Sequence, residues 1–270
     1  MKSLRRITTV ALVMALVAIP TAAFAFDEGT TPTTETDRTT TDRPATDERR
    51  HRDLSEIKAR ALEMIDKQLE ILAGLRSKIA NARHITDDHA TQLLRDISTA
   101  ADGLSKLARK IEAATTVEEL RALIEHIGDY KIRQVLAPKT HQVIGSDSLV
   151  YATGKLERFS TKLSEITARF EDAGFDVDEA WRLLEEMDAN IAEGYRLASP
   201  VAGNVIGLQA ADWPDPAEAV LSAGRSDLRA AGQNVKTAHR IGGEIVHFLR
   251  GLIDGSDVAF DVAGAEVATG

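Results

Sequence analysis

Apolar residues recur along this chain in alternating steps of three and four. Over 149–170 they fall at Leu149, Ala152, Leu156, Phe159, Leu163, Ile166 and Phe170. That is an unbroken heptad seam, which requires another helix to bury it. The same spacing predicts a helix over 53–82, with its seam at Ala61, Ile65, Gln68, Leu72, Leu75, Ile79 and Ala82. Ile57, Met64 and Ile71 on one side and Leu62 and Leu69 on the other widen that face, so this helix should touch two neighbours. A second helix is predicted over 87–113, capped by Thr86 with Asp87 and Asp88 in the first turn, and with its seam at Ala90, Leu93, Ile97, Ala100, Leu104, Leu107 and Ile111.

A capping box, Thr116-Val117-Glu118-Glu119, opens a third helix carrying Leu120, Leu123, Ile124, Ile127, Val135 and Leu136. Pro138 follows. The 149–170 seam carried backwards lands on Gly145, Gln142 and Pro138, so the apolar phase is lost and a break is expected near Ala137. The helix holding the long seam is secure only from Ser148, and Gly174 is placed to supply its left-handed cap. Val177, Ala180, Leu184, Met187, Ile191, Gly194 and Ala198 predict a fifth helix. Its phase continues past Pro200 through Val201, Val205 and Leu208, so a kink is expected there rather than an end. Asp215-Pro216-Ala217-Glu218 reads as N-cap, proline and acid opening a last helix to about Ile253.

These elements define an all-α chain, an elongated antiparallel bundle of about six heptad-patterned helices. Residues 51–137 hold the first three helices and 138–253 a three-helix bundle. The first group should either pack alongside the second or continue the rod. Residues 1–25 read as a secretory signal peptide, with Lys2, Arg5 and Arg6 before an apolar run from Val10 to Ile19 and a small-x-small site at Ala23-Phe24-Ala25. Residues 26–50 are a Thr/Pro-rich tether expected to be disordered, or an O-glycosylated stalk, and 254–270 a disordered tail.

Composition narrows the function classes. There is no cysteine, hence no disulfide, thiol nucleophile, cysteine metal site or lipoprotein anchor. Aromatic residues make up 4% of the chain, which suits Leu/Ile/Ala helical cores better than β-sandwiches. The formal charge of −9 becomes −12 once the first 25 residues, with three basic residues and no acid, are set aside. Such a body should repel nucleic acid.

Candidate chemistry is sparse. Glu244-Ile-Val-His247 gives a single Glu-x-x-His on a helix, where a di-iron bundle needs two; the other copy, Glu48-Arg-Arg-His51, lies at the tether. His126 stands between Glu125 and Asp129, which makes a small acid–histidine cluster. His84, His89, His141 and His239 share no ligand spacing, and neither a nucleophile elbow nor a phosphate loop is present. The reading is therefore non-enzymatic, with no cofactor, catalytic residue or metal set. Trp181 and Trp213 are expected to cap the core. The one surface pattern is basic. Arg225, Arg229, Lys236, Arg240 and His247 recur at 4, 7, 4, 7 on the last helix and form one stripe. Its expected partners are a protein or an anionic envelope polymer, with peripheral membrane contact and self-association as further expectations. A bundle that opens to take up lipid or another apolar ligand is the alternative.

Residues 107–124 (LARKIEAATTVEELRALI) resemble uncharacterised secreted helical proteins of actinobacteria. So do 211–216 (ADWPDP) with the Leu/Arg/Ala-rich helix after them. The resemblance spans roughly 50–250. It implies export to the envelope or the extracellular space and an all-helical fold, and it carries over no activity or site residue.

Overall fold

The computed structural model describes residues 47–254, with side chains over 54–253. It is all-α. The helices are α1 (Asp47–Asn81), α2 (Asp87–Ala113), α3 (Val117–Glu125), α4 (Ala137–Asp172), α5 (Asp178–Ile206) and α6 (Ala217–Asp254). The expected signal peptide, most of the tether and the tail lie outside the described residues. α1 begins at Asp47, four residues inside the stretch expected to be disordered.

The helix starts follow local chemistry. The Thr86 hydroxyl accepts from the His89 N–H, and Thr116 accepts from the Glu119 N–H while the Glu119 carboxylate takes the Thr115 N–H. The two hydroxyl bonds each satisfy a backbone donor that the first helical turn leaves orphaned, and the Glu119 bond holds the chain just ahead of the cap. Gly174, at φ 87°, closes α4 as expected. α5 runs through Pro200 without ending and stops at Ile206. α6 starts at Ala217, two residues beyond the expected cap at Asp215. Its first turn instead takes the Pro214 and Pro216 carbonyls, which accept from Glu218 and Val220.

The expected break near Ala137 is displaced. α3 ends at Glu125, a 3-10 turn covers His126–Tyr130, and Lys131 turns the chain at φ 45°. One π-helical turn, Ile132–Leu136, then leads directly into α4. Pro138 sits in the first turn of α4, where a missing N–H costs nothing. At 1.5 Å per residue α4 is about 54 Å long.

Two apolar clusters organise the packing. One joins Leu149, Leu156, Leu163 and Phe170 of α4 to Leu184, Met187 and Ile191 of α5 and to Val235, Ile241, Ile245 and Leu249 of α6. Ser146 meets Ala198 and Ser160 meets Asp188, so α4 and α5 are antiparallel. α6 returns antiparallel to α5, with Gly194 facing Val235 and Gly242 facing Met187. The second cluster joins α1, α2 and Leu120 of α3 to the other end of the same helices, at Val143, Val201, Val205 and Leu221. α1 and α2 form an antiparallel hairpin, tied by Lys58 to the Glu112 carbonyl at 2.8 Å. Its turn lies beside 141–151 of α4, and its other end runs on past the start of that helix. The hairpin thus overlaps one end of the three-helix unit and also prolongs it.

Trp181 and Trp213 are half-buried, one against each cluster. The Trp181 indole N–H donates to Glu171 at 3.0 Å.

Candidate functional site

α6 separates a core face from a charged face. Ala231, Val235, Ala238, Ile241, Ile245 and Leu249 are buried, whereas Arg225, Arg229, Lys236, Arg240 and His247 are all exposed. The 4, 7, 4, 7 recurrence follows from helical geometry, because those steps return to nearly the same angle. Arg240 is engaged by Glu244 one turn later. The Glu244/His247 pair therefore belongs to a solvated surface. Among the described residues no group of three or more His, Cys, Asp or Glu side chains converges to hold a metal. Nor is any described helix long and apolar enough to cross a membrane.

The periodicity missed a line of buried polar groups. Lys139, Gln142, Ser146, Thr153, Ser160 and Thr167 lie on the buried side of α4, in register with Leu149, Leu156, Leu163 and Phe170. Ala152, Phe159 and Ile166, expected on the seam, are only half-buried. The core line is offset from the purely apolar reading by one residue at every second step. Lys139 is the extreme case, at 1% exposure. Its ammonium donates to Asp96 at 2.6 Å and to the Leu208 carbonyl at 2.8 Å, which binds α4 to α2 and to the end of α5. Ser146 donates to the Ala198 carbonyl at 2.8 Å and accepts from the Ala202 N–H at 3.3 Å. It thereby serves both groups of one i,i+4 pair around Pro200. The Gln142 amide donates to the Leu221 carbonyl at 2.7 Å, and its own oxygen abuts Gly224.

Three histidines that share no sequence spacing each make a separate contact along the seam between the α1–α2 hairpin and α4. His84 stacks on Tyr151 with ring centroids 3.6 Å apart. Asp147, 9% exposed, accepts from the Thr86 N–H at 2.9 Å and from His89 Nδ1 at 2.8 Å. A carboxylate here only accepts, so Nδ1 of His89 carries a proton. Lys78 lies 3.0 Å from His141 Nε2. An ammonium only donates, so that ring is neutral on Nε2.

Burial first, and the Lys78 charge second, hold the His141 ring below its ordinary value of 6.5. In the window just below that value the unfolded chain binds more protons at this site than the folded one. The contribution of His141 is therefore complete above 6.5 and is lost as the pH falls through the lowered folded value. A His141→Gln variant, whose amide oxygen still accepts from Lys78, is expected to lose less stability than the parent between about pH 7 and about pH 5. Parallel urea denaturations at the two pH values check this, and identical losses would contradict it.

The His126 cluster is also formed. Nδ1 of His126 is 2.7 Å from Asp129, both exposed, on the 3-10 turn that follows α3. It borders a surface cleft of about 390 Å³ against α2, lined by Gly103, Lys106, Leu107, Lys110, Leu123 and Tyr130 as well. Comparison with protein-family models, with curated proteins and with solved structures found no match for the chain.

Proposed function

We propose that the protein is an exported, non-enzymatic helical-bundle module that holds an anionic polymer or an acidic protein surface of the cell envelope against the α6 stripe. The observation that carries this reading is the concentration of exposed positive charge on one face of α6 in an otherwise acidic chain. A row of cations along a rigid helix attracts an extended polyanion over its whole length, and the attraction weakens with salt. The basic, apolar and small-x-small sequence of 1–25 supports export, and the Thr/Pro-rich sequence of 26–46 would supply a tether. The resemblance to secreted helical proteins of actinobacteria agrees with export.

The apolar-carrier alternative draws on α1. Met64 is 48% exposed, and Ile57, Leu62, Leu69 and Ile71 are half-buried. Co-sedimentation of the protein with purified cell-wall sacculi and with anionic liposomes, each at low and high salt, separates the two. The stripe reading predicts binding to sacculi that is lost at high salt. Salt-resistant binding to liposomes would instead support the carrier, because burial of apolar surface is not screened. Absence of binding to sacculi at low salt would overturn the polymer reading.

A further inference from the structure

The cleft between α2 and the turn after α3 joins charge, aromatic surface and space in a way that the α6 stripe does not use. Lys106 and Lys110 stand one helical turn apart on α2, and both line it. Like charges at i,i+4 repel on a helix. Several other exposed cations of this chain are paired with acids, as in Lys67–Glu63, Arg60–Glu56, Arg182–Glu179 and Arg196–Glu193. The Lys106 and Lys110 ammonium groups have no ion-pair or hydrogen-bond partner among the described residues. The one acid in the cleft, Asp129, is turned to His126 at 2.7 Å.

The aromatic wall depends on one glycine. A Cβ on Gly103 would lie 2.5 Å from the Tyr130 hydroxyl and 2.6 to 2.8 Å from its ring carbons. Any larger residue at 103 would push the Tyr130 ring away from this position against α2. Leu107 and Leu123 add apolar surface beside it. The phenol has no hydrogen-bond partner among the described residues. Burial, and secondarily the charge of Asp129, raise its pKa, so the O–H remains a donor at neutral pH.

We propose that this cleft is a binding site for a small organic phosphate monoester. Its phosphate would lie against Lys106 and Lys110, and its apolar body against Tyr130, Leu107 and Leu123. The cleft's 390 Å³ falls in the range of small-molecule sites, roughly 300–1,000 Å³. A dianionic phosphate offsets two adjacent ammonium groups and relieves their mutual repulsion, and a monoanionic carboxylate does so half as well. The free Tyr130 hydroxyl supplies a further donor at the rim.

The test is titration of the full chain with phenyl phosphate, inorganic phosphate, benzoate and benzyl alcohol, followed by amide NMR shifts and calorimetry. Phenyl phosphate is expected to bind most tightly of the four and to shift the Gly103, Lys106, Lys110 and Tyr130 amides. The double variant Lys106→Gln/Lys110→Gln should weaken it about tenfold or more, since about 1.4 kcal/mol is one decade. Gly103→Ala should weaken it by displacing the Tyr130 ring. Lys162→Gln, an exposed change on α4, should leave it unchanged. Circular dichroism confirms that each variant is folded. Three results would each overturn the proposal: no saturable binding of phenyl phosphate, undiminished binding in the double lysine variant, or inorganic phosphate binding as tightly as the ester.

Discussion

Asp96→Ala is expected to cost about 3–5 kcal/mol of folding free energy, whereas Lys139→Met at the other end of the same ion pair costs about 1 kcal/mol. The asymmetry follows from burial. The Lys139 side chain is 2% exposed and that of Asp96 is 19% exposed. Removing the carboxylate strands an ammonium inside the protein with the Leu208 carbonyl as its remaining partner. Its choice is then to lose its proton or to pull water into the junction. Removing the ammonium leaves a carboxylate that reaches solvent, and methionine fills the vacated channel with a chain of similar length. Urea denaturation of both variants checks this. Equal losses, or a loss below about 1 kcal/mol for Asp96→Ala, would show that Lys139 is not held as described.

Ile241→Ala is expected to cost about 3 kcal/mol, while Arg240→Glu at the next position costs under about 1 kcal/mol. Ile241 is fully buried between α4 and α5, so truncation loses transfer energy and leaves a void that long packed helices close poorly. Arg240 is exposed. Its replacement loses one i,i+4 pair with Glu244 and adds a like-charge contact, each worth a few tenths of a kcal/mol. A large loss for Arg240→Glu would mean that the stripe is structural. A small loss for Ile241→Ala would mean that α6 is not seated on that face.

The apolar periodicity made α1, α2, α5 and α6 legible because Leu, Ile and Val mark their buried lines directly. α2 runs over Asp87–Ala113, as its cap and seam predict. The start of α4 was hidden for a physical reason. Its buried line is kept by Lys139, Gln142 and Ser146, whose burial depends on partners in α2, α5 and α6 that are distant in sequence. A pattern of apolar residues is blind to a polar group that is satisfied by tertiary contact. The 3–4 spacing from Lys139 to Phe170 is present in the sequence, and reading it without regard to polarity would have placed the start of α4. The corner at Lys131 carried no warning, since glycine or asparagine usually marks a left-handed residue.

Of the surface, the α6 stripe was fully legible, because it needs only one helix. The cleft was half legible. His126 and Asp129 are neighbours along the chain, but Gly103, Lys106 and Lys110 arrive from α2 by folding. The same holds for the contacts of His84 with Tyr151, His89 with Asp147 and His141 with Lys78, each of which joins the α1–α2 hairpin to α4.

The most direct measurement of the α6 account compares two charge-reversed proteins in sacculus binding at low salt. One carries Arg225→Glu, Arg229→Glu, Lys236→Glu and Arg240→Glu. The other carries Lys155→Glu, Arg158→Glu, Lys162→Glu and Arg169→Glu, four exposed positions of α4, and so changes net charge equally. The account predicts that the α6 variant loses binding while the α4 variant keeps most of it. Equal loss in both would show that net charge, and not the α6 face, governs the interaction; retention by the α6 variant would contradict the account outright.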